Sequence, residues 1–434
     1  MPPISRITST YYLLTFLFWL AVAFPIALII LLLQARGMSL FQIGLTTGLY
    51  SLVIVVLEVP TGGLADAIGR KRVSVMAIVV LIIAGVTAFF ALSFPLLLLA
   101  YVLYGIGRAL SSGALEAWFV DSLQLHDPDI DLQPYLARAG VFTLLALGVG
   151  TLAGSALPSL FSSLPPDGST FLTPLSVPIL ISIGVKIMLL VCTLLLVHEN
   201  RSKFTETGIW AGFRRVPGIV QEGIMLSRRS PVILLLFGAS VSGGLAISSL
   251  ESFWQPYFAD FLRSALINSY IFGILMAGNF AFGMLGNLAA TPLTKLFAGR
   301  YALVSMIFQG LWGVSLFLLA WSTGLYLAAG FFWLAYFNMG VRNSPHETLL
   351  NNEIPANQRS AMLSISSLAF YAGGMIGGAL LGYLADLTSI SLAWTVSAFA
   401  VTISLGFYWR IHQIQKHTST TLAEIAAVQA GLAE

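Results

Sequence analysis

The stretch Thr61–Arg72, TGGLADAIGRKR, places three glycines, one Asp and three consecutive cations between two long apolar runs. Glycine permits tight turns, because it adopts backbone conformations that other residues avoid. A cluster of cations is costly in the hydrocarbon core of a bilayer, so these side chains belong at a membrane surface. The stretch therefore predicts a short polar turn that joins two membrane helices.

The composition of the whole chain indicates the same class of protein. The chain has 434 residues, of which 57% are hydrophobic and 9% are charged, whereas about a quarter of the residues in a soluble domain are charged. The net charge of +3 is too small to indicate a nucleic-acid partner. The single cysteine, Cys192, excludes an internal disulfide. We expect a multi-pass protein of a plasma or bacterial inner membrane, with no cofactor, no metal and no enzymatic activity.

Twelve apolar segments are long enough to cross a bilayer, which takes about 20 residues. They are 9–33, 40–60, 73–92, 95–119, 138–160, 177–197, 232–258, 268–292, 300–320, 324–343, 359–385 and 390–410. The longest polar stretch, 198–230, separates the sixth from the seventh. We therefore expect four regions: a six-helix bundle (1–200), a central loop (201–230), a second bundle (231–412) and a tail (413–434).

The distribution of cations predicts the orientation of the chain. If the N-terminus is cytoplasmic, most of the 21 Lys and Arg residues, Arg342 among them, lie in cytoplasmic segments, as membrane proteins favour. Both termini are then expected to be cytoplasmic. All five histidines fall between or at the ends of the apolar segments. The central loop, with Arg pairs between Trp210, Phe213 and Ile219, is either a tether or an amphipathic helix on the inner leaflet.

With this topology, TGGLADAIGRKR resembles the loop between helices 2 and 3 of the major facilitator superfamily. The family pattern is Gly-x-Leu-Ala-Asp-basic-x-Gly-Arg-basic, and Ala67 replaces its first cation. The resemblance implies an all-α fold of two pseudo-symmetric six-helix bundles. It also implies a gating latch, in which Asp66 docks on the N-terminus of helix 11 (EIPANQRSAML). The latch residues are Gly62, Asp66, Gly69, Arg70 and Lys71. The alternative is that the cluster only sets the topology. A degenerate copy, GNLAATPLTKLFAGR, lies between helices 8 and 9.

Charged residues within the predicted helices are candidates for function, because their insertion costs several kcal/mol. Arg108 and Glu116 lie eight residues apart in helix 4, about 12 Å along its axis. Glu116 is a candidate proton-coupling acid or part of a structural ion pair. Arg108 resembles the family's helix-4 Arg that assists proton transfer. Glu58 and Glu251, near opposite ends of helices 2 and 7, are further candidates, for which solvation at the membrane interface is the simpler explanation.

Other residues are candidates for lining a substrate cavity: Trp19, Trp118, Trp254, Asn279, Asn338 and Lys186. Lys186 either makes a structural contact at the periphery or joins Arg108 in a positively charged cavity. Helix 5, GVGTLAGSALPSL, partly resembles the Gly-Pro signature of drug/proton antiporters, with Gly154-Ser155 in place of the Gly-Pro dipeptide.

The sequence thus predicts a secondary transporter that works by alternating access. We expect a functional monomer that exports hydrophobic or amphipathic molecules in exchange for protons. The alternative is a proton-coupled importer or exchanger of a small organic anion. A membrane-embedded enzyme or a scaffold is disfavoured, because neither role explains the latch and the charges within helices.

Overall fold

A computed structural model describes residues 3–166, 168, 170–199, 221, 225, 230–262, 264–354 and 359–417, excluding the side chains of 58–60, 62–63, 66–67, 359–361 and 363–364. Most of the central loop, most of the tail and the predicted cap of helix 11 (Asn357) therefore lie outside the described residues. The side chains of Glu58 and Asp66 also lie outside the described residues.

The described chain is helical, without β-strands. The first half contains α1 (Ile4–Ile26), α2 (Ile29–Ala35), α3 (Leu40–Ile68), α4 (Arg70–Phe90), α5 (Phe94–Ser111), α6 (Ala114–Gln124), α7 (Gln133–Leu160) and α8 (Val177–Leu196). The second half contains α9 (Pro231–Ala259), α10 (Tyr270–Leu296), α11 (Tyr301–Ala320), α12 (Leu325–Glu353), α13 (Arg359–Leu387) and α14 (Ile390–Ile403), and helical backbone resumes over 405–417.

Among the described residues, eleven helices are long and apolar enough to cross a membrane. The predicted segment 324–343 does form a helix, α12, but this helix continues to Glu353 through Arg342, His346 and Glu347. Helix α12 is not among those eleven. The count of twelve spans therefore stays a prediction.

Two predicted segments are broken rather than continuous. Segment 9–33 divides into α1 and α2 just after Pro25, because proline disturbs the hydrogen bonds of the preceding helical turn. Segment 95–119 divides into α5 and α6 at Gly113, whose φ of 72° is left-handed. Such a backbone angle costs most residues energy but is open to glycine. Both breaks lie in helices that line the cavities described below.

Consecutive long helices run in opposite directions, so the bundle has two ends. We name them the Arg36 end and the Arg70 end after a residue at each. Arg36 is buried and donates to Ala88 O (2.8 Å), Phe89 O (2.8 Å) and Ala91 O (3.1 Å) at the C-terminus of α4. Burial lowers the pKa of Arg36 to about 10. The side chain thus caps a helix whose last carbonyls would otherwise lack donors.

The two halves meet through glycine contacts near the Arg36 end. Gly44 of α3 packs against the backbone of Gly378 in α13, and Gly273 of α10 packs against Ser155 of α7. A Cβ at either glycine would overlap its neighbour. Small residues permit this close approach of helices in a membrane, where packing replaces the hydrophobic effect between helices. The contacts close the bundle on this side of the cavities.

Candidate functional site

Two adjoining cavities lie in the first half. The smaller has a volume of about 250 Å³ and the larger about 450 Å³. Both are lined by Phe18, Trp19, Ile78, Arg108 and Leu189. The smaller cavity is mostly apolar, whereas the larger includes hydroxyl groups and one carboxylate. Together they form a space with a polar and an apolar part, as an amphipathic small molecule requires.

Arg108 and Lys186 both line the smaller cavity. Lys186 is only 5% exposed, and its Nζ donates to Ser182 Oγ at 2.8 Å. The same Nζ lies 5.4 Å from the centroid of the Tyr104 ring, and the Arg108 guanidinium lies 5.7 Å from that of Trp19. The described lining of this cavity contains these two cations and no acid. The sequence left open whether Lys186 makes a structural contact at the periphery or joins Arg108 in a cavity. In the structure it lies in the cavity with Arg108.

Helix α8 brings Lys186 inward. Its Ser182 lies one turn earlier and donates to Ala21 O of α1, at 2.5 Å. The Ser182 hydroxyl therefore connects α8 to α1 and accepts from Lys186 at the same time. This fixes the ammonium group between two helices, and the aliphatic part of the lysine packs within the bundle.

Tyrosines cover one side of the smaller cavity. Tyr50, Tyr101 and Tyr104 all line it, and adjacent rings meet edge to face with centroids 6.3 and 6.0 Å apart. Edge-to-face pairs are a favoured geometry for aromatic rings. The Tyr50 hydroxyl lies within electrostatic range of Arg108 in the first half and of Glu251 in the second. Tyr50 is therefore within electrostatic range of a cation in one half and an acid in the other.

Glu251 is accessible to solvent, yet protein atoms surround it on all sides. This combination is expected for a side chain that faces an internal, water-accessible space. Glu251 also lies within electrostatic range of Tyr336 in α12. Glu251 lies one helical turn before Gln255 in α9.

Glu116 lines the larger cavity, together with Arg108, Ser111, Ser112 and Thr143. It stands in the first turn of α6, just after the break at Gly113, and its side chain is exposed. The sequence predicted one continuous helix 4, but the break divides it into α5 and α6. Arg108 consequently lies in the last turn of α5, and the two residues share a cavity across the break.

Backbone groups on both sides of the break between α1 and α2 form hydrogen bonds with a residue of the other half. Gln255 of α9 donates to Ile26 O at 2.9 Å and accepts from the N–H groups of Ile30 (2.9 Å) and Leu31 (3.4 Å). In a membrane, the backbone groups freed by a broken helix need partners within the protein. Gln255, which is 1% exposed, supplies them and closes the cavity at the Arg36 end.

Four of the predicted cavity residues do not line either cavity. Trp118 donates to His198 O at 3.0 Å in the core of the first half. Trp254 packs among Phe258, Phe272 and Phe332. Asn338 donates to Ser315 Oγ at 3.0 Å, and Asn279 lies 3.7 Å from Met276 Sδ. All four are buried.

The turn between α3 and α4 is a hydrogen-bonded unit of the first half. Gly69 has φ 102°, which favours glycine. The Glu199 carboxylate accepts from the N–H groups of Arg70 (2.6 Å) and Lys71 (3.1 Å). Arg70 Nε also forms a salt bridge of 2.8 Å with Asp121. The degenerate copy makes a similar turn, in which Gly299 has φ 73°.

The sequence analysis missed a polar network in the second half. Arg342 of α12 donates to Gln309 (3.3 Å) and Asn343 (2.7 Å). His346, one turn on, lies 3.2 Å from Ser240 Oγ and 2.8 Å from the Tyr408 hydroxyl. The sequence analysis counted Arg342 only among the cytoplasmic cations, whereas in the structure α12 continues past it and both Arg342 and His346 are buried. Helical spacing of Arg342, His346 and Leu350 was the signal that could have revealed this.

Similarity to known proteins decides the family. The sequence profile of the Major Facilitator Superfamily matches residues 11–286. The chain belongs to this superfamily. It is 22% identical over 415 residues to an uncharacterized MFS-type transporter of Bacillus subtilis (strain 168), YxaM, a match that covers 94% of the chain and 96% of the relative.

Two further similarities concern part of the chain and its fold. The chain is 27% identical over 210 residues to the hexuronate transporter of Bacillus subtilis (strain 168), a match that spans 46% of each protein. The crystal structure of the nucleoside transporter NupG superposes with a TM-score of 0.74 at 13% identity, covering 93% of the chain and 98% of NupG. The protein is thus a multi-pass membrane protein of the superfamily and a secondary transporter.

Proposed function

We propose that the protein transports small organic anions of the size of a sugar acid, coupled to protons. The observation that carries this proposal is the pair of cations, Arg108 and Lys186, in one largely apolar cavity. Two like charges in a poorly solvated space repel each other, and a bound carboxylate relieves that repulsion. A carboxylate also accepts strong hydrogen bonds from both cations.

The rest of the cavity suits the other part of such a molecule. Tyr50, Tyr101 and Tyr104 offer ring faces and hydroxyl groups, and the larger cavity adds Ser111 and Thr143. The similarity to the hexuronate transporter supports the same substrate class, because a hexuronate is a sugar that carries one carboxylate. Export of hydrophobic or amphipathic compounds was the first expectation from the sequence, and any such compound without a negative charge would leave the two cations without a counter-charge.

For the proton we propose Glu251, with Glu116 as the second candidate. Both carboxylates are accessible to solvent, and we prefer Glu251 because it lies within electrostatic range of Tyr50, which lines the cavity of Arg108 and Lys186. Tyr50 lies within electrostatic range of both Glu251 and Arg108, so we expect a change of charge on Glu251 to affect the anion site across the two halves. A proton on Glu251 would remove a negative charge that competes with the substrate for Arg108.

The proposed cycle is alternating access, with the two halves rocking about this site. If the Arg70 end is cytoplasmic, the contacts of Gln255 and the glycines close the outside, and the described state is the inward-facing one. Docking of Asp66 on helix 11 would then hold the opposite, inward-closed state. The proposed boundaries of the halves remain 1–200 and 231–412, joined by the central loop.

The test is uptake of radiolabelled glucuronate by proteoliposomes, with and without an imposed pH gradient. We expect flux that the gradient accelerates and that excess glucuronate inhibits. The methyl ester of glucuronate, which has no charge, is the matched control and should not inhibit. Ethidium, an amphipathic cation, tests the alternative of drug export. Ethidium flux without glucuronate flux would overturn the proposed substrate class, and glucuronate flux that ignores the pH gradient would overturn proton coupling.

A further inference from the structure

Backbone N–H groups at the N-terminus of α3 donate hydrogen bonds to side chains of both halves of the protein. Within α3, Gln42 Oε1 accepts from Ser39 N–H at 3.1 Å, and Ser39 Oγ accepts from Gln42 N–H at 3.2 Å. This capping box leaves the intervening N–H groups, those of Leu40 and Phe41, without a partner in α3. Asp386 of α13 accepts both, each at 2.9 Å, with one carboxylate oxygen for each N–H.

The two ends of this helix pair carry the same sequence. Helix α3 ends in Gly62-x-Leu64-Ala65-Asp66, and α13 ends in Gly382-x-Leu384-Ala385-Asp386. Because α3 and α13 run antiparallel, the end of α13 meets the beginning of α3, where Asp386 accepts from Leu40 and Phe41 N–H. This contact lies at the Arg36 end. Asp66 lies near the Arg70 end, where the sequence resemblance predicts that it docks on the beginning of α13.

We propose that Asp386 is a state-specific latch for the Arg36 end, reciprocal to Asp66 at the Arg70 end. When the Arg36 end is closed, Asp386 satisfies Leu40 and Phe41 N–H. When that end opens, water replaces Asp386 as the acceptor for the Leu40 and Phe41 N–H groups. The inference rests on the alternating-access part of the proposed function and is independent of the substrate.

The contacts beneath the latch explain why it responds to the state of the transporter. Gly378 packs on Gly44 two helical turns below Asp386, and a Cβ at Gly382 would lie 2.6 Å from Leu40 O. The carboxylate reaches the two N–H groups only while the helices are in such close contact. A small separation of α3 and α13 breaks both hydrogen bonds together, since hydrogen bonds weaken steeply with distance and angle.

The size of the effect follows from the exposure of Asp386. A carboxylate at a helix N-terminus stabilises it through the helix dipole and through charge-assisted hydrogen bonds, and water screens part of that effect. We expect loss of the charge to shift the equilibrium between the two states about 2- to 10-fold toward the state open at the Arg36 end.

The experiment measures distances between spin labels on purified, substrate-free protein in nanodiscs. A Cys192→Ser background removes the native thiol. One label pair, Leu92→Cys with Tyr326→Cys, spans the halves at the Arg36 end, and another, Leu125→Cys with Leu296→Cys, spans them at the Arg70 end. All four side chains are exposed, so the labels leave the packing intact.

We expect Asp386→Asn to lengthen the distances at the Arg36 end and shorten those at the Arg70 end. Asp66→Asn should do the opposite, and Asp386→Glu should stay close to the parent. Asp260→Asn, which removes another acid at the Arg36 end, should change neither. Unchanged distances in Asp386→Asn, or equal broadening at both ends, would overturn the latch.

A second pair of variants tests the same contact without changing Asp386. Leu40 is the first residue of α3, after the extended Ser39, and proline is favoured at this position although it has no N–H. Leu40→Pro removes one donor, and Leu40→Ala loses the same buried side chain but keeps the donor. Leu40→Pro should shift the distances as Asp386→Asn does, and further than Leu40→Ala. Identical distances in the two variants would contradict the proposal.

The latch and the substrate proposal can fail separately. The distances are measured without substrate, whereas the substrate class is measured as glucuronate flux. A shift in Asp386→Asn with no glucuronate flux in the parent supports the latch and overturns the substrate class. Glucuronate flux in the parent with unchanged distances in Asp386→Asn does the reverse.

Discussion

Replacement of Lys186 by methionine separates a binding role from a structural one. Methionine keeps the unbranched shape of the side chain and removes its charge. In the structure, Lys186 is 5% exposed, its Nζ donates to Ser182 at 2.8 Å, and the described lining of its cavity contains no acid. We expect Lys186→Met to weaken anion binding while leaving the stability of the fold unchanged or raising it.

The magnitude follows from the contacts that Lys186 can make. A unit charge 4 Å from a carboxylate contributes at most about 4 kcal/mol at an effective dielectric constant of about 20. A hydrogen bond to a charged group has a net value of about 1.5–3 kcal/mol. We therefore expect glucuronate to bind about 10- to 100-fold more weakly. Without a bound anion, the buried ammonium is costly to desolvate, so its removal costs the fold little.

The assay is titration calorimetry with glucuronate on the purified protein, combined with thermal unfolding of the same samples. Ser182→Ala is the matched control, because it removes one hydrogen bond of Lys186 and keeps the charge, and it should weaken binding less than Lys186→Met does. Binding by Lys186→Met as tight as that of the parent would refute the reasoning. A clear fall in its melting temperature would also refute it, since Lys186 would then be a structural residue.

Further predictions concern coupling, packing and capping. Glu251→Gln should abolish the acceleration of glucuronate flux by a pH gradient but spare the exchange of glucuronate across the membrane. Glu116→Gln should retain the acceleration. The reverse result would make Glu116 the coupling acid. Gly378→Ala places a Cβ 2.7 Å from Gly44 O and should destabilise the closed Arg36 end by about 1–3 kcal/mol, seen as longer label distances there. Gly184→Ala, whose Cβ meets nothing within 4 Å, should leave those distances unchanged. Arg36→Met should lower the melting temperature, because three carbonyls at the end of α4 lose their donor, and Arg36→Lys should recover only part of the loss, since an ammonium group cannot reproduce the geometry of a guanidinium.

The sequence by itself determined the class of fold and the family. Membrane helices need long apolar runs whatever they pack against, and the turn around Gly69 is local, so both can be predicted from neighbouring residues. The family was predicted from TGGLADAIGRKR and the order of the segments, and the similarity of the chain to known proteins confirms it. Arg108 also stood out, because a charge inside an apolar run is conspicuous without any structure.

Only the tertiary structure decided which polar residues share a site. Lys186 could have faced lipid or the cavity, and its position follows from the packing of α8 on α1 through Ser182. The break after Pro25 is completed by Gln255 of the other half, which pairs with the backbone of α1 and α2. Trp118 and Trp254 were expected in the cavity, but Trp118 is buried in a core cluster of the first half and Trp254 in a cluster to which both halves contribute. The repeated Gly-x-Leu-Ala-Asp was visible in the sequence, yet its meaning required the antiparallel contact of α3 and α13. Which face of a helix meets which neighbour depends on residues hundreds of positions apart, and no local pattern records that pairing.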